Sequence, residues 1–234
     1  MTSDEALRDC PTTMLMCCAC GHPWEPTAAE EARVVLLMRE RAPDGRRPLV
    51  VMVSNSCGIE VGLLAGQYPG RLGHLYSPGG QRGPWREIPY ALDNGAWPAH
   101  KNGRPWPEAE WRELLHWAAM SGLPPAWALV PDVVGDRDGT LRLWDLYEAA
   151  VTAYGFRRAF ALQDGMTFAD VPAGDVTLFV GGSTRWKDAA IPVWCSQFPG
   201  RVHVARVNTW RRLAAAWRWG AVSVDGTRRL HNAQ

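Results

Sequence analysis

Residues 158–165 read Arg158-Ala159-Phe160-Ala161-Leu162-Gln163-Asp164-Gly165, a short apolar run that stops on a polar cluster closed by glycine. Just upstream, Leu141, Leu143-Trp144, Tyr147 and Ala150 fall at the three- and four-residue spacing of a helix with one buried face, over residues 140–154. Downstream, residues 177–181 form another short apolar run, ending on Gly181-Gly182-Ser183. With the run at 127–131 before it and the run at 158–162 after it, the helix over 140–154 predicts a parallel crossover unit. Working outward, runs at 48–53, 73–77, 88–92, 127–131, 202–206 and 221–224, each bounded by turn residues, bring the candidate strands to eight. Helical patterns recur at 107–119 and 209–219. The fold class predicted is therefore α/β, a (β/α)8 TIM-type barrel, with an open doubly wound sheet as the alternative.

Other strands end in the same way: Leu92 into Asp93-Asn94-Gly95, Val130-Pro131 into Asp132, and Val224 into Asp225-Gly226. In parallel α/β proteins the reactive groups project from the C-terminal ends of strands, where rigid strands meet variable loops. Asp225 there can attack an anomeric carbon and hold a covalent glycosyl intermediate. Asp93, a second carboxylate, can carry the proton that a departing purine needs. Taken singly, an Asp-Gly pair is also a turn and Asp93 a cap. Asp132 and Gln163 suit recognition: guanine presents N1–H and an exocyclic amine beside O6, and a carboxylate, an amide and a backbone N–H complement that set. Gly181 and Gly182 allow a backbone N–H to come close to a ligand.

Composition narrows the class. A formal net charge of +1 gives no global field toward nucleic acid, so any such contact must be a local patch. Among 25 basic residues only Lys101 and Lys187 are lysine; the arginine bias fits phosphate contacts and equally a GC-rich genome. Most of the 13 tryptophans are expected in the core. No apolar run reaches the ~18 residues of a membrane span, and Asp4 and Glu5 stand where a signal peptide is basic, so no membrane partner and a cytoplasmic location (host cytoplasm if phage-encoded) are expected.

Residues 1–46 read as a separate N-terminal extension, and 47–234 as the barrel domain. The extension is cysteine-rich, and Thr27-Ala28-Ala29-Glu30 has capping-box spacing before the apolar run Val34–Met38, predicting a short helix. Cys17, Cys20 and His22 have ligand-like spacing without a second pair, so no metal site and no cofactor are expected. The sequence runs only nine residues past Asp225, which predicts an eighth helix that is stunted or missing, with the N-terminal helix as a candidate to cover the gap.

The order Asp-x-Gly, Asp, Gln-x-Gly, Gly-Gly and last-strand Asp is similar to that of the tRNA-guanine transglycosylases, (β/α)8 enzymes that exchange guanine for a 7-deazaguanine. Residues His203-Val204-Ala205-Arg206-Val207-Asn208 through Trp219-Gly220-Ala221-Val222-Ser223-Val224-Asp225 resemble that family's stretch from the seventh strand to its nucleophile. The tRNA enzymes continue with Pro-Thr-Arg and a Cys/His zinc subdomain; this sequence continues Gly226-Thr227-Arg228-Arg229 and stops at Gln234. Three segments resemble more closely the phage-type deazapurine-in-DNA transglycosylases, the DpdA group: Leu92-Asp93-Asn94-Gly95-Ala96-Trp97, Val130-Pro131-Asp132-Val133-Val134-Gly135-Asp136 and Phe179-Val180-Gly181-Gly182-Ser183-Thr184.

That resemblance implies Asp225 as nucleophile, Asp93 as general acid/base, and Asp132, Gln163 and Gly182 as contacts to the base. The partners expected are DNA, a 7-deazaguanine base such as preQ0, and a homodimer or partner protein in place of the zinc subdomain. A duplex guanine must be flipped out to reach such a pocket, and Arg206, Arg211, Arg212, Arg228 and Arg229 are candidate phosphate contacts. A tRNA-acting enzyme, a base-releasing nucleosidase or glycosylase, and a non-catalytic nucleic-acid-binding subunit are the alternatives.

Overall fold

The computed structural model describes residues 48–54, 59–80, 84, 86 and 88–226. Eight parallel strands close into a barrel in chain order. They are β1 (Val50–Ser54), β2 (Leu72–Tyr76), β3 (Tyr90–Leu92), β4 (Ala128–Leu129), β5 (Arg158–Leu162), β6 (Thr177–Val180), β7 (Val202–Val204) and β8 (Ser223–Asp225). Closure is made by β8 against β1, where Val51 faces Val224 and Met52 faces Asp225. The (β/α)8 expectation is met, and the open sheet is excluded because neither β1 nor β8 is an edge.

Helices α1 (Ile59–Gln67), α2 (Ala96–Lys101), α3 (Glu108–Met120), α4 (Arg137–Thr152), α5 (Thr184–Gln197) and α6 (Trp210–Trp219) lie along the chain between strands. Two connections depart from strict alternation. No α-helix is described between β2 and β3, where the sequence reads as a Gly/Pro loop, and β5 passes to β6 through a single 3-10 turn, Phe168–Asp170. Caps set where the helices begin. Asp136 accepts from Gly139 N–H at 2.9 Å, Ser183 from Trp186 N–H at 3.3 Å, and Thr209 from Arg212 N–H at 3.3 Å, each supplying an acceptor that the first turn lacks. Asp136 explains why α4 starts a turn before its apolar pattern does.

Each strand alternates between two environments. Outward residues such as Leu92, Val130, Phe160, Leu162, Leu178, Val180, Val204 and Val224 pack under the helices. Inward residues Met52, Leu75, Ala91, Leu129, Ala159 and Ala161 form a separate inner cluster with Trp127 and Phe179. Small alanines at 91, 159 and 161 make room for those rings, so the barrel is filled rather than hollow. Trp111 on α3 is fully buried in the outer layer and donates its indole N–H to the Leu129 carbonyl at 3.3 Å, tying that helix to β4. Trp111→Ala is expected to cost about 3–5 kcal/mol of stability, seen as a lower urea midpoint at unchanged slope.

Among the described residues no helix is long and apolar enough to cross a membrane. The N-terminal extension with Cys17, Cys20 and His22, and Arg228 and Arg229, lie outside the described residues, as does the side chain of Arg211.

Candidate active site

Strand pleating carries the inward parity past the strand ends. Ala91 and Ala161 point into the barrel, so Asp93 and Gln163, two residues on, point into its mouth; Ser223 and Asp225 repeat the relation. Asp93, Gln163 and Asp225 therefore reach the C-terminal rim from β3, β5 and β8; Asp132 joins them from the loop after β4 through its hydrogen bonds to Asn94 and Gln163, and Gly181 and Gly182 from the end of β6. The two acidic groups assigned to catalysis face one another closely enough to interact: burial first, then the Asp225 charge, pushes the Asp93 carboxyl up to about 7. Ser77, on the loop after β2, donates to Asp93 Oδ2 at 3.0 Å and partly opposes that rise. The Asp93 backbone is fixed independently, its N–H donating to the Tyr76 carbonyl at 2.8 Å.

Asp132 is the hub beside Asp93, after the neighbouring strand β4. Its Oδ1 accepts from Asn94 Nδ2 at 2.7 Å and its Oδ2 from Gln163 Nε2 at 2.6 Å. Burial lifts its carboxyl to about 6, against the pull of the Asn94 hydrogen bond and the Arg206 charge. Each carboxylate oxygen keeps a lone pair, so Asp132 can still accept from a ligand's N–H groups. Gln163 is engaged at both ends, since Oε1 accepts from Gly135 N–H at 2.9 Å. It holds Asp132 in place as well as standing at the rim. Asn94 bridges two loops, donating also to the Val130 carbonyl at 3.0 Å and accepting from Ala96 N–H at 2.8 Å.

The glycine pair is required by its surroundings. Gly182 has φ +64°, and a Cβ there would collide with Asp164 Oδ1 and stand 2.8 Å from Trp186 Cε3. Asp164 cannot simply swing away, because Ser183 N–H and Oγ each donate to it at 2.6 Å. Gly182→Ala is expected to lose about 1–3 kcal/mol, measured by denaturant unfolding. At Gly181 a Cβ would press to 3.2 Å from the Leu162 carbonyl and 3.3 Å from Gln163 Nε2.

Arg206, a candidate phosphate contact from the sequence, is engaged at the rim. Its backbone is left-handed (φ 55°), and the half-buried side chain turns across the rim. The guanidinium donates to the Gly182 carbonyl and lies 3.9 Å over the Trp97 ring, with Asp225 and Asp132 as its acidic neighbours. Two carboxylates and an aromatic face outcompete solvent for it. Arg212 is likewise occupied, donating to both oxygens of Asp188 at 2.8 and 2.9 Å.

Sequence reasoning missed three participants. His203, fully buried, lies with Nε2 2.9 Å from Asp225 Oδ1 and Nδ1 2.8 Å from Ser223 Oγ. Lys187 on α5 is 1% exposed and donates to the Ala205 carbonyl; burial, with Arg206's charge adding, pushes it down to about 8. Trp97 is the third. Being one of only two lysines among the 25 basic residues was the available signal for Lys187, whereas nothing local marks His203 apart from its place in an apolar strand. Among the described residues no three His, Cys, Asp or Glu side chains are placed to hold a metal ion.

Fold and rim together define a closed (β/α)8 barrel with a carboxylate cluster and an inward arginine at its C-terminal mouth. No protein-family model and no curated protein sequence matches the chain. Two solved structures of the tryptophan synthase complex from Pyrococcus furiosus, one of them described as the a2b2 complex, are similar to it at 14% identity. Each similarity covers 78% of this chain and 87% of the other, with a TM-score of 0.45.

Proposed function

We propose that the protein is a pentosyltransferase, a DNA guanine transglycosylase that exchanges guanine for a 7-deazaguanine such as preQ0 through a covalent aspartyl-glycosyl intermediate. The observation that carries this reading is the pairing of Asp93 and Asp225 at one rim, where burial first and Asp225's charge second raise the Asp93 carboxyl to about 7. Two carboxylates with divided protonation are what base exchange needs. Asp225 forms a bond to C1′ as the C1′–N9 bond breaks, the electron pair leaves with guanine, and the proton comes from Asp93. The incoming base reverses the sequence: its ring N–H passes the proton to Asp93, the new C1′–N bond forms and the aspartyl ester breaks.

Asp132, held by Asn94 and Gln163, is the acceptor for the base's N1–H and exocyclic amine, beside the Gly181-Gly182 backbone. Trp97, 41% exposed and already stacked by Arg206, offers a face for a flipped nucleotide at the mouth. DNA and the free deazaguanine are the partners this chemistry takes.

The test is incubation of the full-length protein with guanine-containing duplex DNA and labelled preQ0, with tRNA in parallel, followed by mass spectrometry of the nucleosides. Label in the DNA is the expected result. Label only in tRNA moves the substrate to RNA, and free guanine with an abasic site makes water the acceptor. No product at any salt concentration overturns the reading.

A further inference from the structure

Asp225 is gripped by one oxygen. His203 Nε2 lies 2.9 Å from Oδ1, and the Arg206 backbone N–H donates to the same atom across 3.2 Å. Among the described residues no donor is placed on Oδ2. A carboxylate has no proton to offer, so the His203–Asp225 hydrogen bond requires the proton on Nε2. In the neutral ring Nδ1 is then an acceptor, and the Ser223 hydroxyl, 2.8 Å away, is its donor. The ring has no freedom to abandon this arrangement. It is stacked on Phe179 at 4.9 Å with an interplanar angle of 12°, and Trp127 meets it edge-on at 4.9 Å.

We infer that His203 is a positioning residue: with Ser223 it forms a buried relay that clamps Asp225 Oδ1 and so presents Oδ2 as the atom that bonds to C1′. The chemical half of this inference rests on the transglycosylase reading; the proton location and the clamp do not. The inner face of β7 supplies the histidine and the inner face of β8 supplies both Ser223 and Asp225, so the relay is built into the barrel interior rather than onto a loop. In the step it serves, the Oδ2–C1′ bond forms, the C1′–N9 bond breaks, and guanine departs with the electron pair and a proton from Asp93. Without the clamp the carboxylate turns about its Cβ–Cγ bond, and a smaller fraction of encounters finds an oxygen aligned.

The proton location is read directly by ¹⁵N NMR of histidine-labelled full-length protein, the His203 signals being those absent from His203→Gln. The expected signature is a protonated Nε2, with Nδ1 unprotonated in the neutral ring; a neutral ring with its proton on Nδ1 overturns the relay. Kinetically, His203→Phe keeps the stacked ring but removes the donor. Its rate of adduct formation with DNA is expected to fall roughly 10–100-fold at unchanged KM for preQ0, with partial recovery in His203→Gln, whose side-chain N–H can reach the same oxygen. Equal losses in both variants with a raised KM, in chains whose circular dichroism is native, overturn the positioning role. Wild-type protein that forms no adduct with any nucleic acid removes the transglycosylase reading instead, and the NMR signature still decides the clamp.

Discussion

Asp225→Asn is expected to abolish the covalent adduct and to reduce preQ0 incorporation by roughly 10⁴-fold or more, the scale seen when a nucleophile acting in a concerted group is removed. An amide oxygen is too poor a nucleophile to displace a purine. The variant should nevertheless fold, because Asn can turn its carbonyl toward the donors that hold Oδ1, His203 Nε2 and Arg206 N–H. One consequence is independent of any substrate. Removing the Asp225 charge takes away the second-largest cause of the raised Asp93 pKa, so Asp93 should titrate below its present value of about 7. Carboxyl NMR of the variant checks this. Unchanged Asp93 titration would mean that the two groups do not share the mouth, and retained adduct would mean that another residue attacks.

Asp93→Asn is expected to have two effects of opposite sign. Exchange should fall by about 10²–10⁴-fold, because the departing guanine loses its proton source. Stability should rise at neutral pH. The folded-state carboxyl titrates near 7, whereas its ordinary value is 3.8. Between these limits the native state binds more protons than the unfolded state, so wild-type stability falls as pH rises across that window. The loss is complete above about pH 7 and absent below about pH 4. Asparagine carries no charge to repel Asp225 and Asp132, so the variant's advantage should be near zero at pH 4 and greatest at pH 8. For a chain of this size each kcal/mol corresponds to roughly 2–4 °C in Tm. Thermal unfolding of both proteins from pH 4 to 8 reads the difference directly, and a gap that does not change with pH would contradict the raised Asp93 titration. In wild-type protein the same group predicts that single-turnover guanine release declines above about pH 7, as Asp93 loses the proton it must give.

The pairing of these effects at one residue is characteristic of a functional site. Three acidic groups gathered at a half-buried rim work against folding, and the cost is retained where the charge has a task. Arg206 offsets part of it by lying between Asp225 and Asp132, and Asn94 and Gln163 offset more through their hydrogen bonds to Asp132. Under the proposed base exchange, Arg206 over Trp97 is also the element that a flipped nucleotide would meet at the mouth. A guanidinium on an indole face contributes about 0.5–2 kcal/mol, an amount that an incoming base can replace by stacking on the same ring.

Local sequence by itself determined the architecture. Eight apolar runs separated by helix-period segments admit few arrangements, and the observed strands fall within a few residues of the runs at 48–53 through 221–224. It also determined which polar residues stand at strand ends, because the change from apolar to polar is written in consecutive residues, as in Leu92-Asp93 and Val224-Asp225. What only the tertiary structure decided is which of those groups meet. His203 and Asp225 are 22 residues apart, and Gln163 and Asp132 are 31 apart; each pair is joined by the lateral register of neighbouring strands, which no local pattern encodes. Arg206 shows the limit most plainly. Its sequence context is that of an ordinary surface arginine, and only the closing of β8 onto β1, which brings Asp225 and the β3 and β4 loops around one mouth, turns its charge inward.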